Sequence, residues 1–173
     1  MTLSFRKCVA GDLDALQAIS VKTYYDTFAA VNTPENMEAY LQSAYNLPKL
    51  RRELADENSE FYFVYADDTL SGYLKINEAP AQVEFHDPKS LEIERLYVDQ
   101  GFLGAGIGQF LMDKAIAMAR ERGKEYIWLG VWEHNQRARR FYMRNGFYQI
   151  GSHSFIMGDD DQTDHLMRKD LKE

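Results

Sequence analysis

The chain has 173 residues, 45% of them apolar and 13% aromatic, which excludes intrinsic disorder and allows one domain, residues 1–173, with a core of its own. Its single cysteine, Cys8, excludes an internal disulfide and a multi-cysteine zinc site and reads as a small buried thiol, so no metal is expected. The net charge of −7 disfavours a nucleic-acid backbone as partner and is compatible with a cationic one.

The N-terminal residues lack a basic flank followed by an apolar run, and no apolar stretch approaches the roughly 18 residues of a membrane span. A cytoplasmic protein with no membrane attachment is therefore expected. Leu3 to Cys8 reads as a strand, and Asp12 can cap a helix in which Leu13, Leu16, Ile19, Ser20 and Tyr24 recur at helical spacing. Thr33-Pro34-Glu35-Asn36 starts a second helix, with a hydroxyl cap, proline at the first position and acid in the first turn. Pro48 begins a third. Phe61 to Tyr65 and Leu70 to Asn77 form a hairpin across Asp67-Asp68-Thr69, and residues 78–90 read as a loop.

Leu91 to Val98 is the next strand, and a helix over Ile107–Arg122 ends at Gly123. Tyr126 to Trp132 is an apolar run of strand length. Asn135 caps a helix from Gln136 to Asn145, which Gly146 stops. Phe147 to Ile150 and His165 to Leu171 read as two last strands, with the Asp-rich segment 158–164 between them. The order predicts a mixed α/β domain, helices packed on a mainly antiparallel sheet.

Leu91 to Val98 contains a phase slip. Its apolar residues fall at Leu91, Ile93, Leu96 and Val98, so the middle interval is three where a strand repeats every two. A β-bulge near Glu94-Arg95 keeps all four on one face and splays the strand from its next neighbour. The alternative is a strand buried on both faces, where phase carries little meaning.

Four glycines follow, at 101, 104, 106 and 108. The spacing is neither GxGxxG nor GxxxxGK[ST], so neither the dinucleotide fingerprint nor a Walker loop is present. What remains is a tight glycine loop feeding a helix N-terminus, where converging N–H groups and the helix dipole suit a pyrophosphate.

V-D-Q-G-F-L-G-A-G-I-G, residues 98–108, resembles the acetyl-CoA loop of the GNAT acetyltransferases. Asn135, Ala138, Phe141, Tyr142, Gly146 and Phe147 reproduce the spacing of that family's second signature, so residues 91–150 carry the likeness. The resemblance implies the GNAT fold, with a bulged, splayed central strand and helices on both sheet faces, and acetyl-CoA as co-substrate. It implies that the loop residues Leu103, Gly104, Ala105, Gly106, Ile107, Gly108 and Gln109 hold the pyrophosphate. Leu96, Tyr97, Val98 and Asn135 meet the pantetheine arm, and Arg137 and Arg144 reach the phosphates. Leu103 departs from the family, which commonly has Gln or Arg there, so one side-chain contact to phosphate is missing.

Acetyl transfer to an amine passes through a tetrahedral intermediate and needs a base for the ammonium and an acid for the departing thiolate. Tyr142 matches the family's usual acid. A phenol of pKa near 10 protonates a thiolate of pKa near 8.5 at modest cost. Presenting a free amine at pH 7 costs roughly 4–5 kcal/mol, and Glu92 and Glu94, just before the bulge, are the candidate bases, Glu94 the first choice.

Thr33–Leu41, Ile127–Glu133 and His153–Asp159 with Gln162-Thr163-Asp164 extend the likeness to the PaiA-type spermine/spermidine acetyltransferases. They imply a polyamine acceptor. A polycation calls for carboxylates and aromatic faces, and Tyr24, Asp26, Glu35, Trp132 and Glu133 are the candidates, beside the 159–164 aspartates, Tyr97 and His153. Alternatives are another small amine, an amino acid or a protein N-terminus as acceptor, or an acyl-CoA-binding regulator without turnover. Direct DNA reading is not expected, and a homodimer is compatible with the family.

Overall fold

The aromatic-rich hairpin is the simplest element to derive. Phe61 and Phe63 point to one side of their strand, Tyr62 and Val64 to the other, and all four are buried, so this strand has helices over both its faces rather than one wet side. The two-residue loop Asp67-Asp68 closes it, with Asp67 at φ 53°; aspartate is among the few non-glycine residues that tolerate this region.

The computed structural model describes residues 1–171. In chain order its main elements are β1 (Leu3–Lys7), α1 (Leu13–Phe28), α2 (Pro34–Ala44), α3 (Leu47–Ala55), β2 (Ser59–Ala66), β3 (Thr69–Asn77), β4 (Ser90–Val98), α4 (Ile107–Glu121), β5 (Tyr126–Trp132), α5 (Gln136–Arg144), β6 (Tyr148–Met157) and β7 (Asp160–Asp170). The strands form one sheet of order β1-β2-β3-β4-β5-β7-β6. Every pairing is antiparallel except β4 with β5, which are joined through α4 and run parallel.

Two cores lie on opposite faces of this sheet. Leu91, Ile93, Ile107, Leu111, Met112, Ala115 and Tyr142 pack on the α4/α5 face, joined by Leu96 and Val98. Leu16, Ile19, Tyr24, Met37, Leu50, Phe61, Phe63 and Tyr73 pack on the face covered by α1, α2 and α3. All four apolar residues of β4 thus reach the same core despite the interval of three. The register explains how: Lys75 pairs with Arg95 but Ile76 pairs with Ile93, so Glu94 is an extra residue.

Helix ends follow the expected chemistry in most places. Thr33 Oγ accepts from the Asn36 N–H at 3.1 Å, a cap worth about 1 kcal/mol. Gly123 and Gly146 end α4 and α5 with φ of 70° and 91°. Three expectations are corrected. Asp12 does not cap α1 with its side chain; its carboxylate is taken by Arg6 and by the Val9 N–H. The third helix begins at Leu47, capped by Asn46 Oδ1 accepting from the Lys49 N–H at 2.9 Å. The Asp-rich segment 158–164 is mostly strand, because Gly158 at φ 65° makes a tight turn and the carboxylates alternate along a long β6–β7 hairpin. Cys8 is buried, and burial pushes its thiol up to about 12.

Candidate active site

The cleft is a consequence of the bulge. β4 and β5 pair only through Ser90–Ile93 against Tyr126–Leu129. Beyond Ile93, β4 stays with β3 and β5 stays with β7, so the two parallel strands part. Their facing backbone edges are left to line a cleft of about 880 Å³. Gly72 lets β3 hold β4 in this course: a Cβ there would meet the Tyr97 carbonyl oxygen at 2.7 Å.

One end of the cleft is the glycine loop. Gly104 and Gly106 both sit at φ 83°, and Gly106 is the residue immediately before α4. This delivers the first-turn N–H groups of α4 to the cleft without a helical partner. Leu103, Gly104, Gly106, Ile107, Gly108 and Gln109 border it, as do Asn135, Arg137, Ala138, Phe141, Tyr142 and Arg144. Ala105 does not; its N–H closes a turn on the Phe102 carbonyl at 3.3 Å. The Gln109 side chain is held by Asn145 and Asp113, at 2.7 and 2.8 Å, so Gln109 contributes backbone rather than amide side chain. Leu103 is 47% exposed and presents only methyl groups. Asn135 Oδ1 caps α5 by accepting from Ala138 N–H at 3.2 Å.

The middle of the cleft holds the ionisable groups. Glu92 is 1% exposed, and burial above all pushes its carboxyl up to about 7. Its Oε1 accepts from Asn77 Nδ2 at 2.9 Å and from the Val83 N–H at 3.1 Å. Glu94 is held at about 2 despite its burial, by Arg95 and Lys75 above all. Lys75 Nζ lies 2.8 Å from Glu94 Oε1 and 3.2 Å from Glu53 Oε1, and Arg95 contacts Glu94 and Glu53 at 3.1 and 3.3 Å. Two neighbouring carboxylates are thereby driven apart in acidity. The Tyr142 phenol is pushed up to about 12 by burial alone.

The other end is aromatic. Tyr24 stacks on Tyr40 at 4.5 Å, and Phe28 meets Trp132 edge-on at 5.4 Å. Tyr97 shares this wall, and Asp26, His153 and Asp164 border it. Asp26 is paired with Lys22 at 2.8 Å. Asp164 lies 3.4 Å from His153 Nε2, and its carboxyl is raised by burial. Glu35 and Glu133 are not brought here: neither borders the cleft, Glu35 is exposed on the outer side of α2, and Glu133 faces His134 at 3.2 Å.

The chain matches the acetyltransferase (GNAT) family over residues 20–147. It belongs to the GNAT family. A GNAT N-acetyltransferase takes its acetyl group from acetyl-CoA. One relative is an uncharacterized N-acetyltransferase in the pepI 3′ region of Lactobacillus delbrueckii subsp. lactis, 44% identical over 160 residues, or 92% of each chain. Another is the spermidine N(1)-acetyltransferase of Thermoplasma acidophilum, 25% identical over 98% of each. Among solved structures, the PaiA N-acetyltransferase of T. acidophilum in complex with coenzyme A superposes with a TM-score of 0.81 at 24% identity, covering 98% of this chain and 99% of that one.

Within this GNAT acetyltransferase, several residues at and behind the cleft wall escape a reading by motif. Asn77, Lys75 and Glu53 surround the two glutamates, and Val83 closes over Glu92 from the 78–90 loop. The signal for Asn77 and Lys75 lay in the hairpin: they are polar residues two apart at the end of β3, set among Tyr73, Leu74 and Ile76, and the next strand offers Glu92 and Glu94 two apart.

Proposed function

We propose that this GNAT enzyme acetylates a primary amine of a polyamine such as spermidine or spermine, with Glu92 as general base and Tyr142 as general acid. The observation that carries the reading is Glu92, a carboxyl inside the cleft whose acidity is pushed from the ordinary 4.5 to about 7. That rise narrows the gap to an alkylammonium of pKa about 10.4 by about 3 kcal/mol. Glu94, the first choice from sequence, is a poor base, because Arg95 and Lys75 keep it ionised and hold it at about 2. Its part is to supply a fixed negative charge beside Glu92.

In this mechanism acetyl-CoA lies in the wedge between β4 and β5. The N–H groups of Gly106, Ile107 and Gly108 face the pyrophosphate, with Arg137 and Arg144 nearby, and the free edge at Leu96–Val98 pairs with the pantetheine amides. Asn135 contributes to that arm besides capping α5. Glu92 takes a proton from the ammonium, and the free nitrogen attacks the thioester carbonyl carbon. The C–S bond breaks as the tetrahedral centre collapses, Tyr142 gives its proton to the sulfur, and the second proton of the nitrogen passes to the Tyr142 oxygen, leaving amide, thiol and phenol. The burial that raises the phenol also raises the proton affinity of a thiolate leaving in the same dry space, so donor and acceptor stay matched.

The polyamine assignment draws support from the aromatic end of the cleft, where Tyr24, Phe28, Tyr40 and Trp132 offer ring faces and Asp26 and Asp164 offer charge. The name of the T. acidophilum relative points the same way. The test is thiol release from acetyl-CoA with spermine, spermidine, putrescine, lysine and short peptides. Release with the polyamines is expected, with Glu92→Gln losing most of it. Release with lysine or peptides alone overturns the acceptor, and coenzyme binding without release to any amine overturns the enzyme.

A further inference from the structure

Asn77 is fully buried at the end of β3, directly opposite Glu92 in the β3–β4 register. Its side-chain amide is shared between both glutamates: Nδ2 donates to Glu92 Oε1 at 2.9 Å and to Glu94 Oε1 at 2.8 Å. The amide cannot turn over. Its oxygen accepts the Ser59 hydroxyl at 2.8 Å, and a flip would aim that oxygen at two carboxylates. We propose that Asn77, with its orientation fixed by Ser59, is the positioning residue of the base: it clamps Glu92 to the fixed anion Glu94 and determines the pH at which Glu92 can accept a proton.

The geometry makes this a division of labour within one amide group. Two carboxylates on one strand face repel, and without a donor between them the flexible Glu92 side chain can swing from the cleft. Each amide hydrogen satisfies one carboxylate, so both are held at a fixed separation. A bond that favours the ionised carboxylate also limits how far burial and the neighbouring charge can raise Glu92. The other groups around Glu92 are accounted for. Arg95 lies on its own strand, Lys75 on β3 and Glu53 on α3, all three tied into the Glu94 network. β5 offers Trp128 opposite Glu92. The 78–90 loop carries the Val83 N–H, His86, which bonds the Ala79 carbonyl, and Glu84, which pairs with His153, itself paired with Asp164 across the cleft. Among the described residues, Asn77 is thus the side-chain hydrogen-bond donor to Glu92.

The inference rests on Glu92 being the base, and the experiment separates the two. The Glu92 carboxyl is titrated by 13C NMR in the free protein, assigned through Glu92→Gln, for wild type, Asn77→Ala and Ser59→Ala; the pH profile of kcat/KM is recorded alongside. Loss of the donor leaves burial and Glu94 opposed by the Val83 N–H and the charge of Lys75 alone, so in Asn77→Ala the midpoint moves upward by about one pH unit in both readouts. Ser59→Ala, which keeps the amide but frees it to rotate, moves it the same way by less. A midpoint unchanged in both folded variants overturns the proposal, as does a uniform fall in rate at every pH. Should Asn77→Ala fail to fold, Ser59→Ala decides alone. If the NMR midpoint shifts while Glu92→Gln keeps full turnover, the assignment of the base fails and the role of Asn77 in setting Glu92 stands.

Discussion

At the scale of single residues, Glu92 is kept at a cost to the fold, and the cost can be measured. Its folded value near 7 exceeds the ordinary 4.5, so the folded state binds this proton more tightly than the unfolded chain does. Below pH 4.5 the group is neutral in both states and contributes nothing. As pH rises from 4.5 to 7 the unfolded chain ionises while the buried carboxyl still holds its proton, and stability falls by about 3 kcal/mol at most. Glu94 runs the opposite way: its depressed value near 2 gives stability that is fully present above 4.5 and lost as pH falls toward 2. Glu92→Gln should therefore be more stable than wild type at pH 8, with the difference vanishing as pH is lowered from 7 to 4.5. Urea unfolding across that range measures it, and a Glu92→Gln protein less stable at pH 8 contradicts the account.

Among the elements, the glycine loop and α4 make the sharpest comparison. Gly106 and Gly108 both border the cleft, but only Gly106 is left-handed. A Cβ at Gly106 has open space around it, whereas one at Gly108 meets Phe141 Cζ at 3.8 Å and Val98 Cγ2 at 3.9 Å, ordinary contact. Gly106→Ala therefore acts through the backbone alone and should cost about 1–2 kcal/mol, or straighten the loop and misdirect the first N–H groups of α4. Gly108→Ala should fold as well as wild type. Calorimetry with coenzyme A on both variants checks this: Gly106→Ala should bind more weakly at unchanged amine KM.

Over the whole molecule, the net charge of −7 bears on how a cation arrives. Raising ionic strength from about 0.01 to about 1 M shortens the Debye length from roughly 30 to 3 Å. KM for a polyamine should rise over this range more steeply than KM for a monoamine of similar length, and equal slopes would leave the long-range field without a part in capture. The limits of the sequence are clearest at this scale as well. The splayed β4, the glycine loop before α4 and the start of α5 were legible because the phase slip, the glycine spacing and the cap at Asn135 are local signals. The ends of β6 and β7 were not, since the aspartates at 160, 161 and 164 look like a loop until a glycine turn pairs their strands. Nor was the difference in acidity between Glu92 and Glu94. It is set by burial of Glu92 and by Arg95 and Lys75 beside Glu94, and chain folding brings Lys75 there from β3.

The parallel pairing of β4 and β5 has one more consequence. The chain passes from β4 through α4 to β5 and α5 without leaving the wedge, so about one contiguous third of the sequence furnishes everything proposed to hold the acyl donor. Most of the aromatic end instead comes from α1 and α2, ahead of that third, and from β6 and β7, behind it, with Tyr97 of β4 and Trp132 of β5 completing the wall from within it. The residues proposed for the acyl donor and most of those proposed for the amine are thus written in different passages of the chain, which overlap at Tyr97 and Trp132. Changes in α1, α2 or the β6–β7 hairpin can redirect the acetyl group to a different amine while the passage that carries it is left as it was.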